Sequence, residues 1–142
     1  MKALSYREAT LADAPLLARL NQELLEDEGH RLKSALAELQ ERMHRFLQES
    51  YRAVLFENEG EPVAYALFRD EDDSVYLRQF YVVRAQRRRG FGRAAFDLLA
   101  TEVFPPKRLY VEVLIHNERA RAFWQALGFA EHFVTMERLA PE

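Results

Sequence analysis

Residues 87–93 read Arg-Arg-Arg-Gly-Phe-Gly-Arg, between an apolar run over 75–83 and a helix-like run that opens near Phe91. No other stretch limits the fold so strongly. Two glycines let the backbone curl so that successive N–H groups point into one concavity, and a helix start adds the positive end of its dipole. The flanking arginines carry full charges that fork onto phosphate oxygens. The segment therefore reads as a seat for a phosphorylated ligand. A further apolar run over 108–115 follows the helix. A strand–helix–strand crossover of this kind implies two parallel strands.

Gly90, Gly92 and Ala95 fit the spacing G-x-G-x-x-G/A, and Glu112 lies 20 residues past Gly92. That is the spacing of a dinucleotide fingerprint. Its context is wrong. A dinucleotide site brings its strand almost straight into the first glycine, yet six residues separate Val83 from Gly90. Glu112 falls inside the apolar run 109–115 rather than at a strand end, where a ribose would sit. Only 50 residues follow Gly92, too few for the rest of a doubly wound domain. The other candidate is coenzyme A.

The rest of the chain supplies partners for this crossover. A short strand is expected over 3–8. Thr10 and Asp13 have capping-box spacing, and Leu16, Leu17, Leu20 and Leu24 then form a helical stripe. After Gly29, Leu32, Leu36, Leu39, Met43, Phe46 and Leu47 predict a second helix over 32–48. The period then changes. Runs over 51–57 and 62–69, joined by Asn58-Glu59-Gly60, predict a hairpin. An acidic turn at 70–73 precedes the run 75–83, and a helix is expected from about 91 to 101. Pro105-Pro106 ends that excursion before the strand at 108–115. Asn117 caps a helix that runs to Leu127, with Gly128 as its stop, and 129–138 is expected to close the sheet. The predicted fold is α/β, a mixed sheet flanked by helices in the order β-α-α-β-β-β-α-β-α-β.

Composition narrows the function classes. One domain over 1–142, large enough for a sizeable core, is expected from 142 residues with no visible linker or repeat. A net charge of −3 removes the simplest argument for nucleic-acid binding, and the arginine cluster has no interleaved aromatics. No stretch approaches 18 apolar residues and the opening residues have no signal-peptide core, so no membrane role is expected. The chain has no cysteine, which excludes disulfides and a thiol nucleophile and suits the cytoplasm. His116 and His132 have no partner at ligand spacing, so no metal is assigned.

Two blocks carry a family resemblance. The first, 80–92, reads Phe-Tyr-Val-Val-Arg-Ala-Gln-Arg-Arg-Arg-Gly-Phe-Gly. The second, 109–129, runs from a strand through Asn117-Glu118-Arg119-Ala120 to Phe123-Trp124 and a closing Gly128-Phe129. Together they resemble the GNAT acetyltransferase superfamily, specifically over 50–138 and by element order before that. The resemblance implies acetyl-CoA as cofactor, in a gap where the two parallel strands splay. Backbone groups of Tyr81, Val82 and Val83 would pair with pantetheine. The N–H groups from Arg88 to Arg93, across Arg89, Gly90, Phe91 and Gly92, would cradle the pyrophosphate. Arg87 would fix the loop, and Arg88, Arg89 or Arg93 would reach the 3′-phosphate or solvent.

Acetyl transfer to an amine needs a deprotonated nucleophile and a stabilised carbonyl oxygen. A backbone N–H near Val82 can serve the oxygen. Without a cysteine, direct transfer in a ternary complex is favoured over an acyl-enzyme. Glu112 is the only carboxylate within an apolar strand run, so burial is expected to raise its pKa into a useful range for a general base. Glu112-Val113 before Asn117 also resembles an arrangement of ribosomal-protein N-terminal acetyltransferases, in which that glutamate is the proposed base. The alternative is a buried ion pair with Arg78. Asn117 is either a ligand contact or a helix cap.

Trp124 stands where many relatives carry a tyrosine near the sulfur. Indole cannot act as a proton-transfer acid near neutral pH, so the thiolate leaves unassisted or Tyr110 or Tyr81 supplies the proton. Trp124 itself packs either on the cofactor or into the core. The fold implies an acceptor site near the first two helices, where Glu23, Glu26, Asp27 and Glu28 precede Gly29-His30-Arg31. These carboxylates either attract a small-molecule or peptide amine or form a solvated helix end. A non-catalytic acyl-CoA sensor is the competing class, and a homodimer through the last strand or the helical region fits the fold.

Overall fold

The computed structural model describes residues 4–29 and 35–142. Residue 3 of the first expected strand, and His30, Arg31 and Leu32, lie outside the described residues.

The chain order is β1 (Ser5–Glu8), α1 (Ala14–Asp27), α2 (Leu36–Gln48), β2 (Tyr51–Asn58), β3 (Glu61–Asp70), β4 (Ser74–Val82), α3 (Phe91–Leu98), β5 (Arg108–Tyr110) and α4 (Glu118–Ala126). The five strands form one sheet in sequence order. β1 to β4 are antiparallel neighbours, and β4 and β5 run parallel, as the crossover demands. The expected mixed α/β architecture holds.

Period-2 alternation splits the sheet's apolar residues between two cores. On one face, Ala53, Leu55, Tyr65 and Leu67 meet Leu17 and Leu20 of α1 and Met43 of α2. On the other, Val54, Phe56, Ala66 and Phe68 meet Ala95, Phe96 and Leu99 of the α3 region and Trp124 of α4. Asn58 pairs with Glu61, leaving Glu59 (φ 54°) and Gly60 (φ 81°) as a two-residue loop. Positive φ at both positions matches the twist of a tight hairpin.

One irregularity shapes the site. Leu67 faces Gln79 and Phe68 faces Leu77, so Arg78 is an extra residue in β4. Such a bulge bends a strand and shifts its alternation. Tyr76 lies on the α1–α2 face before the bulge, and Tyr81 lies on that face after it. The parallel ladder with β5 stops at Tyr76–Tyr110, two residues before Arg78.

The structure differs from expectation at two places. The run expected as a strand to Ile115 keeps its ladder only to Tyr110. From 111 to 114, half-buried Val111 and Val113 still alternate with exposed Glu112 and Leu114. The residues keep strand-like alternation but have left the neighbour that would hydrogen-bond them. The expected closing strand over 129–138 forms no strand. Gly128 (φ 95°) ends α4, and the Phe129 N–H bonds back to the Trp124 carbonyl at 3.0 Å. Residues 131–142 are then exposed, because no sheet edge receives them.

Candidate active site

Past the last β4–β5 pair the two strands diverge, and a cleft of about 460 Å³ opens between them. β4 supplies one wall through Gln79, Phe80, Tyr81 and Val82, and Val111, Glu112 and Val113 supply the other. Gly90, Phe91 and Gly92 close one end, and Phe123 and Trp124 form part of the floor.

The β4 wall is held firmly. β4 pairs with β3 as far as Val82, and the Val83 N–H donates to the Val63 carbonyl at 2.8 Å. In an antiparallel ladder alternate residues bond the same neighbour. Val82 therefore turns its N–H and carbonyl away from β3, and its carbonyl accepts from Arg87 Nε at 3.1 Å. Val83 has its amide engaged with β3 and does not line the cleft. Of residues 81, 82 and 83, expected to offer backbone groups, Val82 is the one whose groups turn away from β3. Tyr81 and Val83 share the inward parity.

The loop after β4 is tied by side chains distant in sequence. Arg87 lies over the Tyr81 ring (5.1 Å to the centroid) and pairs with Asp27 at the end of α1. Arg84 reaches the same carboxylate at 2.9 Å, and Glu26 stands 3.6 Å from Arg84. The Tyr81 hydroxyl donates to Glu23 at 2.8 Å. The three carboxylates of α1, Glu23, Glu26 and Asp27, thus face groups of this chain, and neither sequence reading, a free amine attractor or a solvated helix end, describes them. Backbone positions complete the loop. Arg88 (φ 64°) and Gly90 (φ 78°) are both left-handed, which curls the chain into α3. A Cβ on Gly92 would stand 3.1 Å from Phe123 and 3.4 Å from Val82, so only glycine fits there without displacement.

Not every expected cofactor contact lines the cleft. Arg87, Arg88, Gly90, Phe91, Gly92, Asn117 and Trp124 do. Arg89 and Arg93 do not: Arg89 bonds Gln86 at 2.8 Å and lies over the Phe91 ring, and Arg93 is an exposed residue of α3. A run of arginines at a helix start must point in different directions, and pattern alone does not say which. Arg119 and Phe123, which were not singled out from the sequence, line the cleft one α4 turn apart.

Glu112 lines the cleft as an exposed residue, so the burial expected of it is missing. The strand that would cover it is not there. Its carboxylate accepts a hydrogen bond from the Tyr76 hydroxyl. Burial, then this bond, holds the Tyr76 phenol above its ordinary pKa, so Tyr76 remains a donor. The alternative pair with Arg78 is not formed among the described residues. Arg78 instead donates to the Tyr51 hydroxyl at 3.1 Å and stacks on the Phe46 ring.

The Asn117 side chain caps α4, accepting from the Ala120 N–H at 3.1 Å while lining the cleft. Trp124, 8% exposed, sits among Phe80, Phe96, Phe123 and Phe129 at centroid distances of 4.9–5.8 Å. It belongs to the core and to the cleft floor at once. Neither proposed proton donor is available in this arrangement. Tyr81 is bound to Glu23, and Tyr110 donates to Glu71 at 2.9 Å and does not line the cleft. Burial, then those carboxylates, raises both phenols. Among the described residues no group of three or more His, Cys, Asp or Glu is placed to hold a metal ion, and no helix is long and apolar enough to cross a membrane.

Splayed parallel strands, a left-handed glycine turn and a helix start at the opening define a recognisable class. The model of the Acetyltransferase (GNAT) family matches residues 17–129, and the chain belongs to that family. No curated protein matches the sequence. Among solved structures, a possible acetyltransferase from Clostridium difficile 630 superposes with TM-score 0.81 at 18% identity, covering 99% of each chain. An acetyltransferase from Thermus thermophilus gives 0.75 at 27% identity, covering 92% of this chain and 90% of that one. The aminoglycoside N-acetyltransferase AAC(6')-Iy, solved in complex with CoA, gives 0.73 at 17% identity over 98% and 96%.

Proposed function

We propose that this GNAT acetyltransferase is a single-domain N-acetyltransferase that moves an acetyl group from acetyl-CoA to a primary amine by direct transfer in a ternary complex. The observation that carries the reading is the outward-facing backbone of Val82 beside the glycine turn, where the β4–β5 ladder has ended. The residues fit the cofactor. Val82 offers strand hydrogen bonding without a strand neighbour, the turn from Arg88 to Gly92 offers curled N–H groups, and Gly92 keeps the approach free of a side chain. A CoA-bound relative of the same fold supports the choice.

When bound, acetyl-CoA supplies a thioester whose acyl carbon accepts the amine. The protein's part is to hold and to move protons. The Val82 N–H donates to the acyl oxygen as charge develops there, an effect worth about 3 kcal/mol for one well-placed donor. Glu112 takes the amine proton, directly or through one water, with its carboxylate oriented by Tyr76. Tyr81, the tyrosine that lines the cleft, donates to Glu23 and is not free to protonate the leaving thiolate. A thiol pKa of roughly 8.5 lets it depart unassisted.

The acceptor is a small-molecule or peptide amine entering past Glu112 and Glu28. A chain without cysteine suits a reducing compartment, and we place the enzyme in the cytoplasm. Thiol release from acetyl-CoA, followed across polyamines, aminoglycosides and lysine peptides, tests the reading. Turnover with at least one amine is expected. Trp124 in the place of an acid favours a second reading, an acyl-CoA-binding sensor, and tight binding without turnover on any amine would establish that instead.

A further inference from the structure

Charge around the cleft is not distributed as the sequence suggested. The carboxylates at the end of α1 are occupied, since Asp27 holds Arg84 and Arg87 and Glu23 takes the Tyr81 hydroxyl. Two guanidinium groups on the same side of the sheet lack that kind of match. Among the described residues neither Arg42 of α2 nor Arg78 of β4 pairs with a carboxylate. Arg42 donates to the Asn21 side-chain oxygen at 2.8 Å, and its Nε is buried without a hydrogen-bond partner. Burial, then the charge of Arg78, lowers the Arg42 pKa from its usual value. A half-buried positive charge without a counter-ion costs stability, and a bound anion returns it.

Arg78 is the group placed to receive that anion. It lines the cleft and is exposed there. Its guanidinium lies 4.8 Å from the Phe46 ring centroid and 5.6 Å from that of Tyr51, and Nη1 donates to the Tyr51 hydroxyl at 3.1 Å. Two rings and one hydrogen bond fix the plane of the group and leave its other N–H donors for a planar, forked partner. Its position on the strand points the same way. Tyr76 and Tyr110 are the last pair of the β4–β5 ladder, and Arg78 and Glu112 each lie two residues beyond, one on either strand. Tyr76, which donates to Glu112, shares the α1–α2 face with Phe46 and Tyr51, on which Arg78 rests. A fixed cation and the candidate base therefore flank the throat where the strands part. The phosphate seat at Arg88–Gly92 lies elsewhere, because Arg78 precedes even Val82 by four residues, roughly 13 Å of strand.

The geometry points to an acceptor that carries its own carboxylate, a free amino acid whose amine meets Glu112 while its carboxylate forks onto Arg78. This inference rests on the acetyl-transfer reading and narrows its substrate class. The amine nitrogen forms a bond to the acyl carbon, the carbon–sulfur bond breaks with its electron pair on sulfur, and one amine proton passes to Glu112. The carboxylate takes no part in that exchange. It positions the amine, and Arg42 on the far end of the Phe46 contact adds to the field that draws it in. Polyamines and aminoglycosides, which bring only positive charge, are disfavoured beside two arginines.

Thiol release from acetyl-CoA is followed with α-, β- and γ-amino acids, each beside its carboxamide, and with a diamine. A carboxylate favours the ammonium form of a neighbouring amine. The carboxamide therefore holds more free amine, and a preference for the acid cannot come from that source. For at least one spacing kcat/KM should be roughly 10- to 100-fold higher for the acid, the effect of one charge-assisted pair. Arg78→Gln should bring acid and carboxamide together, with circular dichroism as the check on folding. The wild-type comparison stands even where that variant fails to fold. Equal use of acid and carboxamide, or preference for the diamine, overturns the inference and leaves acetyl transfer intact. So does an Arg78→Gln protein that loses both activities alike, since that is a structural effect. If no amine is turned over, the acetyl-transfer reading fails instead, and calorimetric titration with the same amino acids decides about the carboxylate seat. Binding that is lost in Arg78→Gln supports it, and no binding overturns it.

Discussion

The two walls of the cleft are built to different standards. The β4 wall is paired along its length to β3, pinned by Arg87 to the Val82 carbonyl, and clamped to α1 through Asp27 and Glu23. The β5 wall has three ladder residues, and beyond Tyr110 it relies on side-chain packing and the Tyr76–Glu112 contact. The first wall is preorganised for a ligand rich in phosphate. The second carries the candidate base on a segment whose outer edge is open. Binding and chemistry should therefore respond separately to mutation.

The largest expected effect is on the rigid wall. Gly92→Trp drives a side chain into Phe123 and Val82, and acetyl-CoA affinity should fall at least about 100-fold, as two good charge-assisted contacts are lost at roughly 1.4 kcal/mol per tenfold. Calorimetry measures it, with circular dichroism as the check on folding. On the open wall, Glu112→Gln should lower kcat by about 100-fold or more and leave acetyl-CoA affinity unchanged. Equal losses in both quantities would erase the distinction between the walls. Trp124→Ala probes what the walls share. Removing a buried indole should cost about 3–5 kcal/mol in denaturant unfolding.

The smallest effect concerns the paired ends of β4 and β5. Glu71 holds Arg69 and Tyr110 together where β4 and β5 still pair. The hydrogen bond from Arg69, then that from Tyr110, lowers its pKa from 4.5. A lowered carboxylate pKa adds stability that is present above the unfolded value and lost as pH falls through the folded one. The stability difference between the wild type and Glu71→Gln should be constant near neutrality and shrink below about pH 4.5, as thermal unfolding across pH would record.

Much of this was legible because the deciding signals were local. Glycine at 60 and 90, the Asn117 cap and the period change after Gln48 each act within a few residues, and the crossover rule then set the parallel pair. The Asp27 clamp was not legible: its partners lie 57 and 60 residues away, and opposite charges carry no address. Arg78 likewise read as a partner for Glu112 by strand adjacency, whereas the bulge turns it toward Phe46 and Tyr51. The apolar alternation of 109–115 and 129–138 reads as two strands, whereas β5 pairs only over Arg108–Tyr110 and 129–138 forms none. It could not say whether a neighbour was in place, because a ladder belongs to two segments at once.

The most direct test of the account is calorimetric titration of the chain with acetyl-CoA, with NADH as a control ligand. Micromolar binding of acetyl-CoA, absent for NADH and lost in Gly92→Trp, is the predicted result. No binding of acetyl-CoA, or equal binding of both ligands, would contradict the claim that the cleft between β4 and β5 is built for that cofactor.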